Sequence, residues 1–158
     1  MSMRGMYAYF AGGSAGIKAW NFTNPASPQA INYSQAQPQA ARVITSASRL
    51  FTHNDSTSMN KISSFDISSP SADPVELDYY PVQNNVISFL NSGNFLFASK
   101  GYGDGVLIFD ISDPAGFSLH SLINSMTSTY YDHLLTVNGF YWFYVDGSYG
   151  LRIIDLSR

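Results

Sequence analysis

The chain has 158 residues, of which 45% are hydrophobic and only 12% charged, with a formal net charge of -3. That length and apolar content suffice for a packed core and speak against a disordered chain, while so little positive charge offers no broad field to hold a phosphate backbone, so nucleic acid is not expected as a partner. The lack of cysteine rules out disulfides, thiolate metal sites and a cysteine nucleophile.

No apolar run approaches the roughly 20 residues of a membrane helix, so no membrane insertion is expected. The start, Met1 to Gly5, leads into the aromatic stretch Tyr7 to Gly13, which is too short for a signal-peptide core. Along the chain, alternating aromatic runs come first in each unit: Tyr7 to Ala11, Leu50 to His53, Phe95 to Ser99 and Phe140 to Val145. Each is followed, across Gly, Ser, Asn and Asp residues, by a second run: Gly16 to Asn21, Lys61 to Asp66, Gly105 to Asp110 and Gly150 to Asp155. Two such runs with a turn-forming link read as a β-hairpin. Weaker runs follow at Gln29 to Tyr33, Val75 to Tyr80 and Ser118 to Ile123, and then at Arg42 to Thr45, Asn85 to Leu90 and His133 to Val137. Nowhere do apolar residues recur at helical spacing over ten positions, and β-branched and aromatic residues fill the runs instead.

The second runs close on Asn21, Asp66, Asp110 and Asp155, at steps of 45, 44 and 45, and Pro25, Pro70 and Pro114 stand four residues after the first three. Four strands in each such period is the pattern of a propeller blade. The fold expected is therefore all-β, a β-propeller-like array of about four blades, with three full repeats and a partial one, in a single domain over residues 1–158. Counted from the innermost strand outward, each hairpin supplies strands two and three. The chain is thus expected to begin at strand two of one blade and end at strand three of another, fourteen strands in all with incomplete first and last blades. The run Gly150-Leu151-Arg152-Ile153-Ile154-Asp155-Leu156-Ser157, with Phe109-Asp110-Ile111-Ser112-Asp113-Pro114, resembles the LVIVD repeat of bacterial β-propeller proteins. That resemblance implies a bacterial surface or extracellular setting and says little about activity, since one fold hosts many functions.

Asn21, Asp66, Asp110 and Asp155 are read as turn residues, whose side-chain oxygen accepts an N–H two or three residues on. Their regular spacing, and the uncharged Asn21 at the same place, argue against a catalytic carboxylate set. The glycine-rich stretches Gly101 to Gly105 and Asp146 to Gly150 lack a following helix and the alternating oxygens of a calcium loop, so they read as hairpin links. His53 ends its run and is followed by Asn54 and Asp55 in the longest hairpin loop, which is polar enough to form a contact surface with them. Asp132 and His133 open an innermost strand near a central channel, although neighbours in a strand point to opposite faces. Tyr79, Tyr80, Tyr130 and Tyr131 break the repeat and suit a stacking or protein-contact surface. Tyr9, Phe97 and Phe143 share one repeat position and are read as packing between blades.

No metal site, cofactor or convergent catalytic set is expected, and no Gly-x-Ser-x-Gly elbow occurs. The functional expectation is a noncatalytic propeller module for protein binding or assembly, its partner a second copy, the rest of a longer propeller, or a protein or small glycan. The alternatives are a ligand-binding or hydrolase- or lyase-like propeller with a channel site, and a structural filament subunit.

Overall fold

The computed structural model describes residues 1–31, 33, 39–56, 60–101, 105–123, 133–138, 141–146 and 150–155, with 133–138, 144 and 146 as backbone. Among these residues fifteen strands form four antiparallel sheets, and no helix is present. The first sheet holds β1 (Ser2–Arg4), β2 (Tyr7–Ala11), β3 (Ile17–Asn21) and β4 (Gln29–Ile31). The second holds β5 (Ala40–Ser46), β6 (Arg49–Asn54), β7 (Lys61–Asp66) and β8 (Val75–Pro81). The third holds β9 (Val86–Ser92), β10 (Phe95–Lys100), β11 (Val106–Asp110) and β12 (Ser118–Ile123), and the fourth β13 (His133–Asn138), β14 (Tyr141–Asp146) and β15 (Gly150–Asp155). In every sheet each strand pairs with its neighbours in the chain.

The expected incomplete first blade is corrected. Ser2–Arg4 forms a strand ahead of the Tyr7 hairpin, with Ser2 opposite Tyr9 and Arg4 opposite Tyr7, so fifteen strands stand among the described residues where fourteen were expected. The sequence Ser-Met-Arg has no β-branched residue to announce a strand. It is held by its surroundings instead: Ser2 Oγ lies 2.8 Å from Thr45 Oγ1, and Arg4 Nη1 donates to the Ile67 carbonyl at 2.7 Å. The fourth sheet has three strands among the described residues.

One turn recurs between the first and second strands of a sheet. Arg4 pairs with Tyr7, Ser46 with Arg49 and Ser92 with Phe95, leaving two-residue links that begin at Gly5, Ala47 and Gly93. All three adopt positive φ, at 56°, 50° and 55°. A two-residue link needs this conformation to match the strand twist, and glycine adopts it without a Cβ clash, whereas Ala47 does not. The second residue of each link is tied to the far end of the third strand. Phe22, Ile67 and Ile111 donate their N–H groups to the carbonyls of Met6, Ser48 and Asn94 at 2.7, 2.8 and 2.8 Å.

The strands fall into two compact units, residues 1–83 with 114–116, and residues 84–113 with 117–158. In the first unit, strand alternation puts Tyr9, Ile17 and Ala19 on one face of the first sheet, where they pack with Val43, Leu50 and Phe65 of the second. All six residues of β6 are buried, Phe51 among them. Burying side chains of this size contributes about 1.5–3 kcal/mol each. In the second unit, Phe97, Val106 and Ile108 of the third sheet pack on Trp142 of the fourth, and the Phe97 and Trp142 ring centroids are 5.9 Å apart.

The registers define the repeat at atomic level. Tyr9, Phe51, Phe97 and Phe143 sit opposite Ala19, Ser64, Ile108 and Ile153, each partner two residues before the Asn or Asp that ends its strand. Tyr9 and Phe97 thus carry the contact from one sheet to the next within their units.

Candidate binding surface

The turn residues share one geometry. Asn21 Oδ1 accepts the Thr23 N–H at 2.8 Å, Asp66 Oδ1 that of Ser68 at 2.7 Å, and Asp110 Oδ1 that of Ser112 at 2.8 Å. Hydrogen bonds from the backbone and side chain of Ser68 hold the Asp66 carboxyl below the usual carboxylate range, and those from the side chain and backbone of Ser112 do the same for Asp110. Asp155 ends β15, and the residues that follow it lie outside those described. The acceptor is therefore the same whether the side chain is an amide or a carboxylate.

The contact reading of His53 and the loop reading of Asn54 are corrected. Both belong to β6, which runs one residue further in each direction than its aromatic core implies, and both are buried. His53 Nε2 bonds Asn60 Oδ1 at 2.8 Å, and Asn54 Oδ1 accepts the Ser56 N–H at 2.9 Å. Burial pushes the His53 pKa below its ordinary value, against an opposing bond from Asn60. Neither side chain offers a contact surface, whereas Asp55 is exposed.

Tyr79 and Tyr80 lie in the outer strand β8 and point to opposite sides of it. Tyr79 is 59% exposed, and Lys61 Nζ sits 4.8 Å from its ring centroid while also pairing with Glu76. The cation thus covers part of the ring that the sequence offers for stacking. Tyr130, Tyr131 and Asp132 lie outside the described residues. His133 opens β13, opposite Val145. Among the described residues no group of three or more His, Asp or Glu side chains is placed to hold a metal.

Two other surfaces carry the apolar chemistry. The first is a cleft of about 500 Å³ within the second unit. Phe97, Ile108 and Ile123 supply its apolar lining, Phe95, His120 and Ser121 line it further, and Ile154 and Asp155 contribute from β15. His120 stands at a bulge, because Ile108 pairs with Ser121 and Phe109 with Leu119. Its ring meets that of Phe95 at 5.3 Å, tilted by 58°. Sequence alternation alone could not find this cleft, since the bulge reassigns which β12 side chains share a face. The aromatic positions 95 and 97 were the available signal.

The second surface is a pair of partly exposed sheet faces. On the first sheet, Met3, Ala8 and Trp20 share the face opposite to Tyr9; Ala8 is buried, while Met3 and Trp20 are 53% and 39% exposed. On the fourth sheet, Phe143 and Ile153 share a face with Val145 and Leu151, and Ile153 and Leu151 are 59% and 62% exposed. Isolated exposed apolar residues are ordinary, but contiguous apolar rows on a sheet mark an interaction surface.

No family model matches the chain, and no curated protein matches it. Among solved structures, the chain is similar to the computationally designed Ika4 protein, with a TM-score of 0.72 at 10% identity over 99% of this chain and 89% of that one. It is also similar to the designed Ika8 protein, at 0.67 and 11% over 99% of this chain, and to a chain of the Mitotic Checkpoint Complex, at 0.69 and 13% over 96%. It spans 45% and 46% of those two chains, less than half of each. At such low identity the likeness shows the fold alone, a β-propeller-like all-β repeat architecture.

Proposed function

We propose that this chain is a noncatalytic β-propeller module of about four blades that works by association, with a second copy of itself as the partner. The observation that supports this reading is the repeat equivalence of the two partly exposed faces. Within the first unit the Tyr9 face of one sheet packs on the Leu50 face of the next, and within the second unit the Phe97 face packs on the Trp142 face. Phe143 stands at the Tyr9 position, and Trp20, opposite Ala8, stands where Ile154 is opposite Trp142. The fourth sheet of one copy therefore offers the half of a contact whose other half the first sheet of another copy offers. Covering these rows removes apolar surface from water at about 25 cal/mol per Å². The contact is head to tail, so it yields a ring where the rotation closes and a filament where it does not.

The test is the mass in solution by light scattering over a roughly hundredfold range of concentration. The wild-type chain should grow in mass with concentration. Ile153→Asp, which places a charge on the exposed row, should remain at the mass of one chain with an unchanged far-ultraviolet dichroism spectrum. A wild-type chain that stays a cooperative monomer throughout overturns the reading.

A further inference from the structure

The end of β3 carries a motif that its turn role does not use. Asn21-Phe22-Thr23 is an Asn-x-Thr triplet without proline, the pattern whose asparagine accepts an N-linked glycan. Asn21 closes β3, and its Oδ1 accepts both the Thr23 N–H at 2.8 Å and the Thr23 hydroxyl at 2.6 Å. Two donors on one oxygen fix the plane of the carboxamide and leave its Nδ2 directed away from Thr23. That nitrogen makes no hydrogen bond among the described residues, and Thr23 is exposed. We infer that Asn21 is a glycosylation site, whose Nδ2 takes an oligosaccharide from a lipid-linked pyrophosphate donor.

In the transfer, Nδ2 attacks C1 of the first sugar and the C1–N bond forms as the C1–O bond to the pyrophosphate breaks. One amide proton passes to a base of the transferase, and the lipid pyrophosphate leaves. The turn is kept, because it uses Oδ1 and the glycan uses Nδ2. A pocket of about 200 Å³ beside Asn21 is lined by Asn21, Thr23, Asn24, Ser27 and Gln29, carboxamides and hydroxyls with no charge among them. Gln29 stands opposite Asn21 in the pair of β3 and β4 and shares its face. Such groups both donate to and accept from sugar hydroxyls. Asn54-Asp55-Ser56 has the same kind of triplet and the same turn, with Asn54 Oδ1 accepting the Ser56 N–H at 2.9 Å, but Asn54 is 1% exposed. Burial keeps the enzyme and its donor from that amide, so the fold selects between the two asparagines. In a third triplet, Asn32-Tyr33-Ser34, Asn32 and Ser34 lie outside the described residues. Trp20 and Asn21 point to opposite sides of β3, so the glycan leaves the Trp20 face to the association proposed above, and each can fail without the other.

The test combines the folded full chain with a purified oligosaccharyltransferase and a lipid-linked oligosaccharide, and uses synthetic peptides copying residues 17–27 and 50–60 as unfolded references. Both peptides should be modified. In the folded chain, intact mass and peptide mapping should find a glycan at Asn21 and none at Asn54, and the mapping keeps any glycan at Asn32 apart from these. Asn21→Asp retains the turn acceptor that Asp66 and Asp110 supply elsewhere, and should lose the Asn21 glycan with an unchanged thermal midpoint at neutral pH. Thr23→Ala should lose it as well, whereas Thr23→Ser should keep it. A folded chain that stays unmodified at Asn21 overturns the inference, whether or not the peptide is modified. So does modification of Asn54 in the folded chain to the same extent as Asn21, because exposure would then not select the site.

Discussion

Phe51 and Phe143 occupy the same position of the repeat and differ in burial, the first fully buried and the second half-buried. The first lies in β6, all six residues of which are buried, and the second on a sheet whose strand β15 is half-buried or exposed throughout. Both strands present aromatic and apolar residues at alternate places, so the pattern by itself does not determine burial. A repeat strand is built to be covered by its neighbours, so equal patterns can differ in how far they are covered.

Truncation at the two positions should break the symmetry most strongly. Phe51→Ala should cost about 3–5 kcal/mol, because it opens a cavity in a close-packed interior, whereas Phe143→Ala should cost about 1 kcal/mol or less in the isolated chain. Urea midpoints compare them directly. Equal losses would mean that the fourth sheet is covered in solution as fully as the second.

A smaller difference should appear with pH. Burial of His53 lowers its pKa, so the unfolded chain takes up the proton first. The stability from its neutral form is complete above the ordinary histidine pKa of about 6.5 and declines as pH falls through that value toward the folded one. Thermal midpoints of the wild type should fall between about pH 7 and 5, and His53→Gln should flatten that slope. At lower pH the two bonded carboxylates enter. Asp66 and Asp110 contribute stability above the usual carboxylate pKa of about 4, lost as pH falls through their depressed folded values, while Asn21 at the same place does not titrate.

The turns give the finest comparison. Asn21→Ala removes an acceptor that serves both the N–H and the hydroxyl of Thr23, and should cost about 1 kcal/mol in chemical unfolding. Ala47→Gly should do the reverse. It places in the second sheet the residue that the first and third already have, and should raise stability by about 0.5–1 kcal/mol, measured in the same assay. A loss on that substitution would show that the link between β5 and β6 differs from those at Gly5 and Gly93.

Much of this architecture is legible in the sequence because the repeat has two independent signatures, the aromatic hairpin and the turn that closes it. The strands through Tyr7, Phe95 and Val106 lie where the alternation puts them, and β12 spans the expected Ser118 to Ile123. What was not legible depends on distant partners. Ser2–Arg4 becomes a strand through Thr45 and Ile67, more than forty residues away, although Gly5 ahead of Tyr7 matches Gly93 ahead of Phe95 and was a usable sign. The burial of His53 and Asn54 at the end of β6 is not visible in a His-Asn-Asp sequence, which reads as the polar rim of a loop. The cleft depended on the bulge after Ile108, which alternation cannot foresee.

Because each strand pairs only with strands next to it in the chain, the sheets have consequences for how quickly and in what order the protein is made. Hairpins form in about 1–10 μs, while synthesis adds about 5–20 residues per second. The first sheet, finished at Ile31, has time to pair before Ala40 of the second exists. Its Tyr9 face stays in water until β6 and β7 arrive to cover it. Within each unit the nascent chain therefore carries an uncovered apolar face, first the Tyr9 face until the second sheet is made and later the Phe97 face until Trp142 of the fourth arrives.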